Sequence, residues 1–173
     1  AHAAELLNIE TIRDAMKNEN IVNVLKKVER EEIIPHVSPV PGLTPEGYLN
    51  LIIDRFANTS IQDTVRRVAF DGYSRHAGFL MPSITDGITK NKSIQGLALV
   101  EALWARMCEG TREDQSVIEP NDPHWEKLNI LAKKSRENPL IWLEQKEIYG
   151  DIANSKNFQN SFSKWLQLLY QKG

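Results

Sequence analysis

The 173-residue sequence has a single cysteine, Cys108, so no disulfide can close within the chain and a reducing compartment is the expectation. Excess charge of either sign is missing too. Lys and Arg number 21 against 23 Asp and Glu, and the formal net charge of -2 is too small for the long-range field that gathers nucleic acid or an anionic membrane. Neither partner is expected, although local arginines could still hold a small anion. No apolar run approaches the roughly 20 residues that cross a bilayer, and no basic-then-apolar leader opens the chain, so a cytoplasmic location is expected. Glycine-rich loops of the dinucleotide-binding or P-loop kind do not occur, so no cofactor-binding residue is expected here. His2, His36, His76 and His124 are scattered, none with a second His or Cys at ligand spacing, and no metal site is expected either.

What is present is helical periodicity. With 41% apolar and 25% charged residues the chain matches an ordinary globular domain, and 1–173 reads as one all-α unit, because alternation of apolar and polar residues hardly occurs. The opening Ala1-His2-Ala3-Ala4-Glu5-Leu6-Leu7 has the look of mid-helix sequence, which makes a piece of a longer protein the expectation. Ile12, Ala15 and Met16 share a face, continued by Ile21, Val22, Leu25 and Val28; Glu29 to Glu32 then read as the solvated end of that helix, stopped by Pro35. Pro39, Pro41 and Gly42 make a connector. Thr44-Pro45-Glu46 combines a capping hydroxyl, a first-turn proline and a carboxylate against the helix dipole, and Leu49, Ile52, Ile53 and Phe56 form the stripe behind it.

A short helix is predicted from Ile61 to Phe70, ended by Asp71-Gly72 with glycine taking the left-handed conformation. In Ser74 to Thr89, Pro82 is either a first-turn residue or a kink. The strongest pattern runs from Ile94 to Glu109, with Leu97, Val100, Leu103, Trp104 and Met107 on one face and Gly110 at its close. A polar loop from Thr111 to Pro123 leads to a helix capped by Asn121-Asp122-Pro123. A further short helix carries Trp142 and Ile148, and the last carries Phe158, Phe162, Trp165, Leu166 and Leu169. The four tryptophans lie on apolar stripes and read as core rather than as a platform for sugar stacking. Cys108 reads as structural, because only Arg106 is close enough in sequence to favour a thiolate.

Chemistry concentrates in one stretch, Asp54 to Gly72. Arg67 and Arg75 are eight residues apart, and two guanidinium forks aimed at one point suit a polyhydroxylated or carboxylate ligand. A plain alternative stays open, since Asp63, Arg67 and Asp71 at four-residue spacing also describe an ion-pair ladder on a helix surface.

The motifs Arg55-Phe56-Ala57-Asn58, Ile61-Gln62-Asp63-Thr64 and Arg67-Val68-Ala69-Phe70-Asp71-Gly72, with Phe79 and Pro82 beyond them, resemble the C-terminal domain of the mannitol dehydrogenase family, the long-chain polyol dehydrogenases that include mannitol 2-dehydrogenase and fructuronate reductase. Ile12 to Met16, Glu31 to Pro35 and Glu147 to Gly150 agree with it. The resemblance implies a two-domain oxidoreductase, in which an N-terminal Rossmann-type domain binds NAD(H) or NADP(H) and a helical domain closes over a sugar alcohol or sugar acid. It places the catalytic Lys, Asn and His of the family upstream of Ala1, so no catalytic residue is expected in this chain and His2 does not inherit that role. Arg67 matches the family's substrate-contacting arginine, Arg75 stands where a lysine is usual, and His76 is a candidate for the pocket rim or else a solvent-exposed histidine. Arginine in place of lysine suits a carboxylate, which puts a hexuronate (fructuronate reductase, or mannonate oxidoreductase) ahead of mannitol. A noncatalytic helical interaction module is the alternative, and the isolated chain is expected to be inactive.

Overall fold

The computed structural model describes residues 1–38 and 40–171; Pro39 of the expected connector, and Lys172 and Gly173 at the end of the last predicted helix, lie outside the described residues. The described residues form helices and turns with no strand, only isolated bridges between Thr11 and Thr64 and between Thr111 and Val117.

The first periodic segment is broken into α1 (His2–Leu6), α2 (Ile12–Ala15) and α3 (Glu19–Val28). Thr11 and Asn18 are the reason. Each sits in extended conformation, and its side-chain oxygen accepts backbone N–H groups of the following turn, so the chain restarts at a cap although the apolar positions keep a helical period. The charged run after α3 is a solvated helix end only in part, with Arg30 and Glu31 exposed and Glu32 buried. Residues Glu29–Ile33 form a wide π turn that swings Glu32 inward, where its carboxylate accepts from Ser93 Oγ at 2.7 Å, Gly96 N at 3.0 Å and Leu97 N at 2.8 Å. It thereby caps α8 (Gln95–Cys108) from 64 residues away. Gly96 permits the approach, because a Cβ there would lie 2.5 Å from Val28 Cγ2 and 3.3 Å from Glu32 Oε2.

Thr44 caps α4 (Pro45–Ala57) through its hydroxyl and Gly47 N, as the sequence predicts. The next helix is shorter than predicted: α5 spans only Val65–Ala69, capped by Thr64, because residues before it are pulled into extended pairing with the α1–α2 connection (Ile12 N to Asp63 O and Val65 N to Glu10 O, both 2.9 Å). Its end also differs in detail. Asp71, not Gly72, is left-handed at φ 56°, and it caps α6 (Gly72–Arg75). Gly72 is needed for proximity: a Cβ on it would collide with the Trp104 indole nitrogen and lie 2.8 Å from Cε2.

A second π turn, His76–Leu80, joins α6 directly to α7 (Met81–Thr89). Pro82 is therefore both a first-turn residue of α7 and part of one helical run from Gly72, the widened turn accommodating its missing N–H.

The long α8 (Gln95–Cys108) is the axis of the molecule. Leu97, Ala98, Ala102, Trp104, Ala105, Met107 and Cys108 are buried, α11 (Lys156–Gln171) lies along it with Phe158, Phe162 and Leu166 inward, and α9 (Trp125–Ser135) packs beside them. Between α9 and α11, 3₁₀ turns at Pro139–Glu144 and Gly150–Asn154 flank α10 (Lys146–Tyr149). Trp104 and Trp142 meet edge to face in the centre, 4.9 Å between ring centroids, while Trp125 and Trp165 are partly buried against the same core. A smaller cluster of Ala4, Ile12, Ala15 and Val65 ties α1, α2 and α5 together.

Candidate functional site

Arg67 leaves α5 with its side chain 70% exposed and one edge of its guanidinium, Nε and Nη2, on the Asp63 carboxylate. That hydrogen bond, before the plain charge attraction, holds the Asp63 carboxyl below its ordinary range and raises the arginine. The second rung of the ladder does not exist, since Asp71 has turned away to cap α6. Arg75 reaches back across the corner to donate to the Val68 carbonyl at 3.1 Å, and it makes no ion pair among the described residues. The chain reversal at Phe70-Asp71 thus brings the Arg75 guanidinium to the Val68 carbonyl at the C-terminal end of α5, while the Arg67 guanidinium points back to Asp63. The corner is clamped from outside: Arg66 donates to the Glu119 and Pro120 carbonyls, and Tyr73 N donates to Asp122 at 2.9 Å.

His76 is neither at a rim nor in solvent. It is 4% exposed, because its Nδ1 donates to Glu101 Oε1 at 2.6 Å and its ring stacks on Trp104 at 4.2 Å. The other carboxylate oxygen accepts the Tyr149 hydroxyl at 2.8 Å, and that hydroxyl in turn accepts the Trp142 indole N–H at 2.7 Å. Burial, and then the Glu101 carboxylate beside it, pushes the Tyr149 hydroxyl well above its usual value, so it remains a donor. His2, partly buried on α1, meets His76 Nε2 with its own Nε2 at 2.8 Å; burial, then His76, pushes its pKa well below the usual imidazole range.

Glu101 and Tyr149 were not singled out from the sequence. A signal for Glu101 exists, for it falls on the stripe Leu97, Glu101, Trp104, Cys108, and a lone carboxylate on a buried stripe demands partners. Cys108 is buried, and desolvation raises its thiol well above the ordinary value, which suits a structural residue. Among the described residues no group of three His, Cys, Asp or Glu side chains is gathered for a metal ion, and no helix is long and apolar enough to cross a membrane. An apolar cavity of about 370 Å³ opens between α1, α2, α3 and α8, lined by Met16, Ile21, Val24, Leu99 and Leu103 among others; neither arginine lines it.

A sequence profile described as the mannitol dehydrogenase C-terminal domain matches residues 1–170. The chain belongs to this family. Over 173 residues it is 40% identical to the mannitol 2-dehydrogenase of Cereibacter sphaeroides, covering all of this chain and 36% of that protein. With the mannitol 2-dehydrogenase of Emericella nidulans it shares 26% identity over 99% of this chain and 34% of the relative. Its fold superposes with a TM-score of 0.94 on the Pseudomonas fluorescens mannitol 2-dehydrogenase, solved as a ternary complex with NAD and D-mannitol, at 26% identity, covering 99% of this chain and 35% of that one. D-Sorbitol dehydrogenase in substrate-free form shares the fold at a TM-score of 0.87 and 22% identity. This mannitol dehydrogenase C-terminal domain therefore spans about a third of the length of its relatives.

Proposed function

We propose that the chain is the substrate-binding domain of an NAD(P)-dependent oxidoreductase that interconverts a secondary alcohol and a ketone on a sugar alcohol or its keto form, with a mannitol-type polyol ahead of a hexuronate. One observation carries the reading: identity of 40% to a mannitol 2-dehydrogenase over the entire chain. Arg67 and Arg75 supply forked donors to hydroxyl or carbonyl oxygens of the sugar. His76 acts from beneath, since its ring is buried. NAD fits no residue set of this chain, which lacks a glycine-rich phosphate loop, so the cofactor and the Lys, Asn and His of the family belong to the remaining two thirds, and no step of hydride transfer is assigned to these residues. A cytoplasmic location belongs to the same proposal, supported by the lone, reduced Cys108.

The second reading, a hexuronate substrate, is favoured by Arg75 where the family has lysine: a guanidinium binds a carboxylate through paired hydrogen bonds. The whole protein is to be assayed for NADH oxidation with D-fructose, fructuronate and tagaturonate. Turnover of fructose well above both hexuronates is the expected result; the reverse selects the hexuronate reading, and inactivity toward all three leaves the noncatalytic interaction module.

A further inference from the structure

The substrate reading says nothing of how an exposed arginine on a four-residue helix is held in place. Arg75 is the last residue of α6, its side chain has no acidic partner among the described residues, and its own hydrogen bond goes to a backbone carbonyl. A flexible guanidinium of that kind loses much of its binding power to conformational freedom unless its backbone is fixed. Here both ends of α6 are fixed by α8. At the front, Gly72 approaches the Trp104 indole to a distance no side chain would allow. At the back, the residue following Arg75 is His76, stacked on the same tryptophan and hydrogen-bonded to Glu101 one turn earlier on the same helix.

The Glu101 carboxylate is itself buried and partnered at both oxygens. A carboxylate only accepts, so His76 Nδ1 carries the proton at one oxygen, and Tyr149 from α10 donates to the other. Tyr149 is anchored by the Trp142 indole. On the far side of the ring, His2 brings α1 onto His76 Nε2. Two helices, α8 and α1, therefore meet the imidazole directly adjoining Arg75, and α10 reaches it through Glu101, in a core where a buried polar group is costly unless it is fully partnered. A fold that needed only packing at this point would be served by an aliphatic side chain at each of the positions 76, 101 and 149.

We propose that His76, Glu101 and Tyr149 are positioning residues: their hydrogen-bonded chain fixes the turn that presents Arg75 to the sugar, and so sets the sugar KM without touching the sugar. The inference rests on the reading of Arg75 as a substrate contact.

The test uses the whole enzyme with D-fructose and NADH, and compares Arg75→Ala, His76→Ala, His76→Asn, Tyr149→Phe and the double variant Arg75→Ala/His76→Ala. Asparagine keeps a donor near the place of Nδ1. His76→Ala is expected to raise the fructose KM about tenfold or more while kcat and the NADH KM stay as in the parent. His76→Asn recovers most of that loss, and adding His76→Ala to Arg75→Ala raises KM no further. If Arg75→Ala raises KM and His76→Ala does not, or if the two effects multiply, the positioning role is overturned and the substrate reading stands. If Arg75→Ala has no effect on KM, the substrate reading of Arg75 fails, and this inference with it. Should His76→Ala fail to fold, Tyr149→Phe takes its place, because it deletes one hydrogen bond to Glu101 and keeps the ring in the core. It is expected to raise the fructose KM in the parent and to have no further effect beside Arg75→Ala; an unchanged KM overturns the proposal.

Discussion

Arg67 stands in solvent with its charge opposed by Asp63, an arrangement that contributes little to folding because the arginine keeps most of its water. A residue so placed is free to be spent on ligand binding: the fork is held by one carboxylate, and part of its rim of donors is left over. Arg67→Ala in the whole enzyme is therefore expected to leave the melting temperature unchanged, to leave the NADH KM unchanged, and to lower kcat/KM for the sugar by about tenfold or more. Steady-state kinetics beside a thermal scan check this. An unchanged kcat/KM would return Arg67 to the role of a surface ion pair. The two arginines were legible in the sequence because eight-residue spacing and a recognisable motif mark them. What spacing could not show is that Asp71 leaves the ladder: one left-handed residue turns its carboxylate from Arg67 to the N-terminus of α6, and either outcome fits the same letters.

Helices in this molecule are started by side chains more than by their apolar stripes. Thr44 could be read as a cap because its N–H partners follow within three residues. Glu32 could not, since the N–H groups it accepts belong to Gly96 and Leu97, and nothing local distinguishes it from Glu29 or Glu31. The same limit hid the His76–Glu101 pair, where only the misplaced charge on the stripe of α8 was visible and its partner was 25 residues away. Because Glu32 caps the central helix from a buried position, its loss should be felt by the whole core. Glu32→Ala strands two backbone donors and a hydroxyl, at a cost of about 3 kcal/mol. Glu32→Gln keeps one acceptor oxygen and loses the charge-assisted part, costing about 1 kcal/mol. Urea unfolding of the parent and both variants measures the two losses; equal losses would mean that Glu32 contributes packing and not a cap.

At the scale of the molecule, the core is continuous. One buried cluster runs from Leu6 on α1 through α8 to Leu166 on α11, and the smaller cluster at α2 and α5 joins it through α1. The surface is less complete: Phe79 is 75% exposed on the π turn just after Arg75, Phe70 is half-exposed at the corner beside Arg67, and the apolar cavity opens at α1. A continuous interior is what a domain shows when it folds by itself, and exposed aromatics of this kind suit the partner-domain contact that the proposed function requires. The 173-residue chain produced alone is thus expected to unfold in one cooperative transition, with a near-ultraviolet dichroism signal from the interlocked Trp104 and Trp142 that vanishes at the midpoint. It is also expected to give no heat above dilution when NAD is titrated into it in a calorimeter, because a dinucleotide needs a glycine-rich turn against its pyrophosphate and this sequence has none. Measurable NAD affinity in the isolated chain would place the cofactor on this domain and overturn the proposal that NAD is held elsewhere in the whole protein.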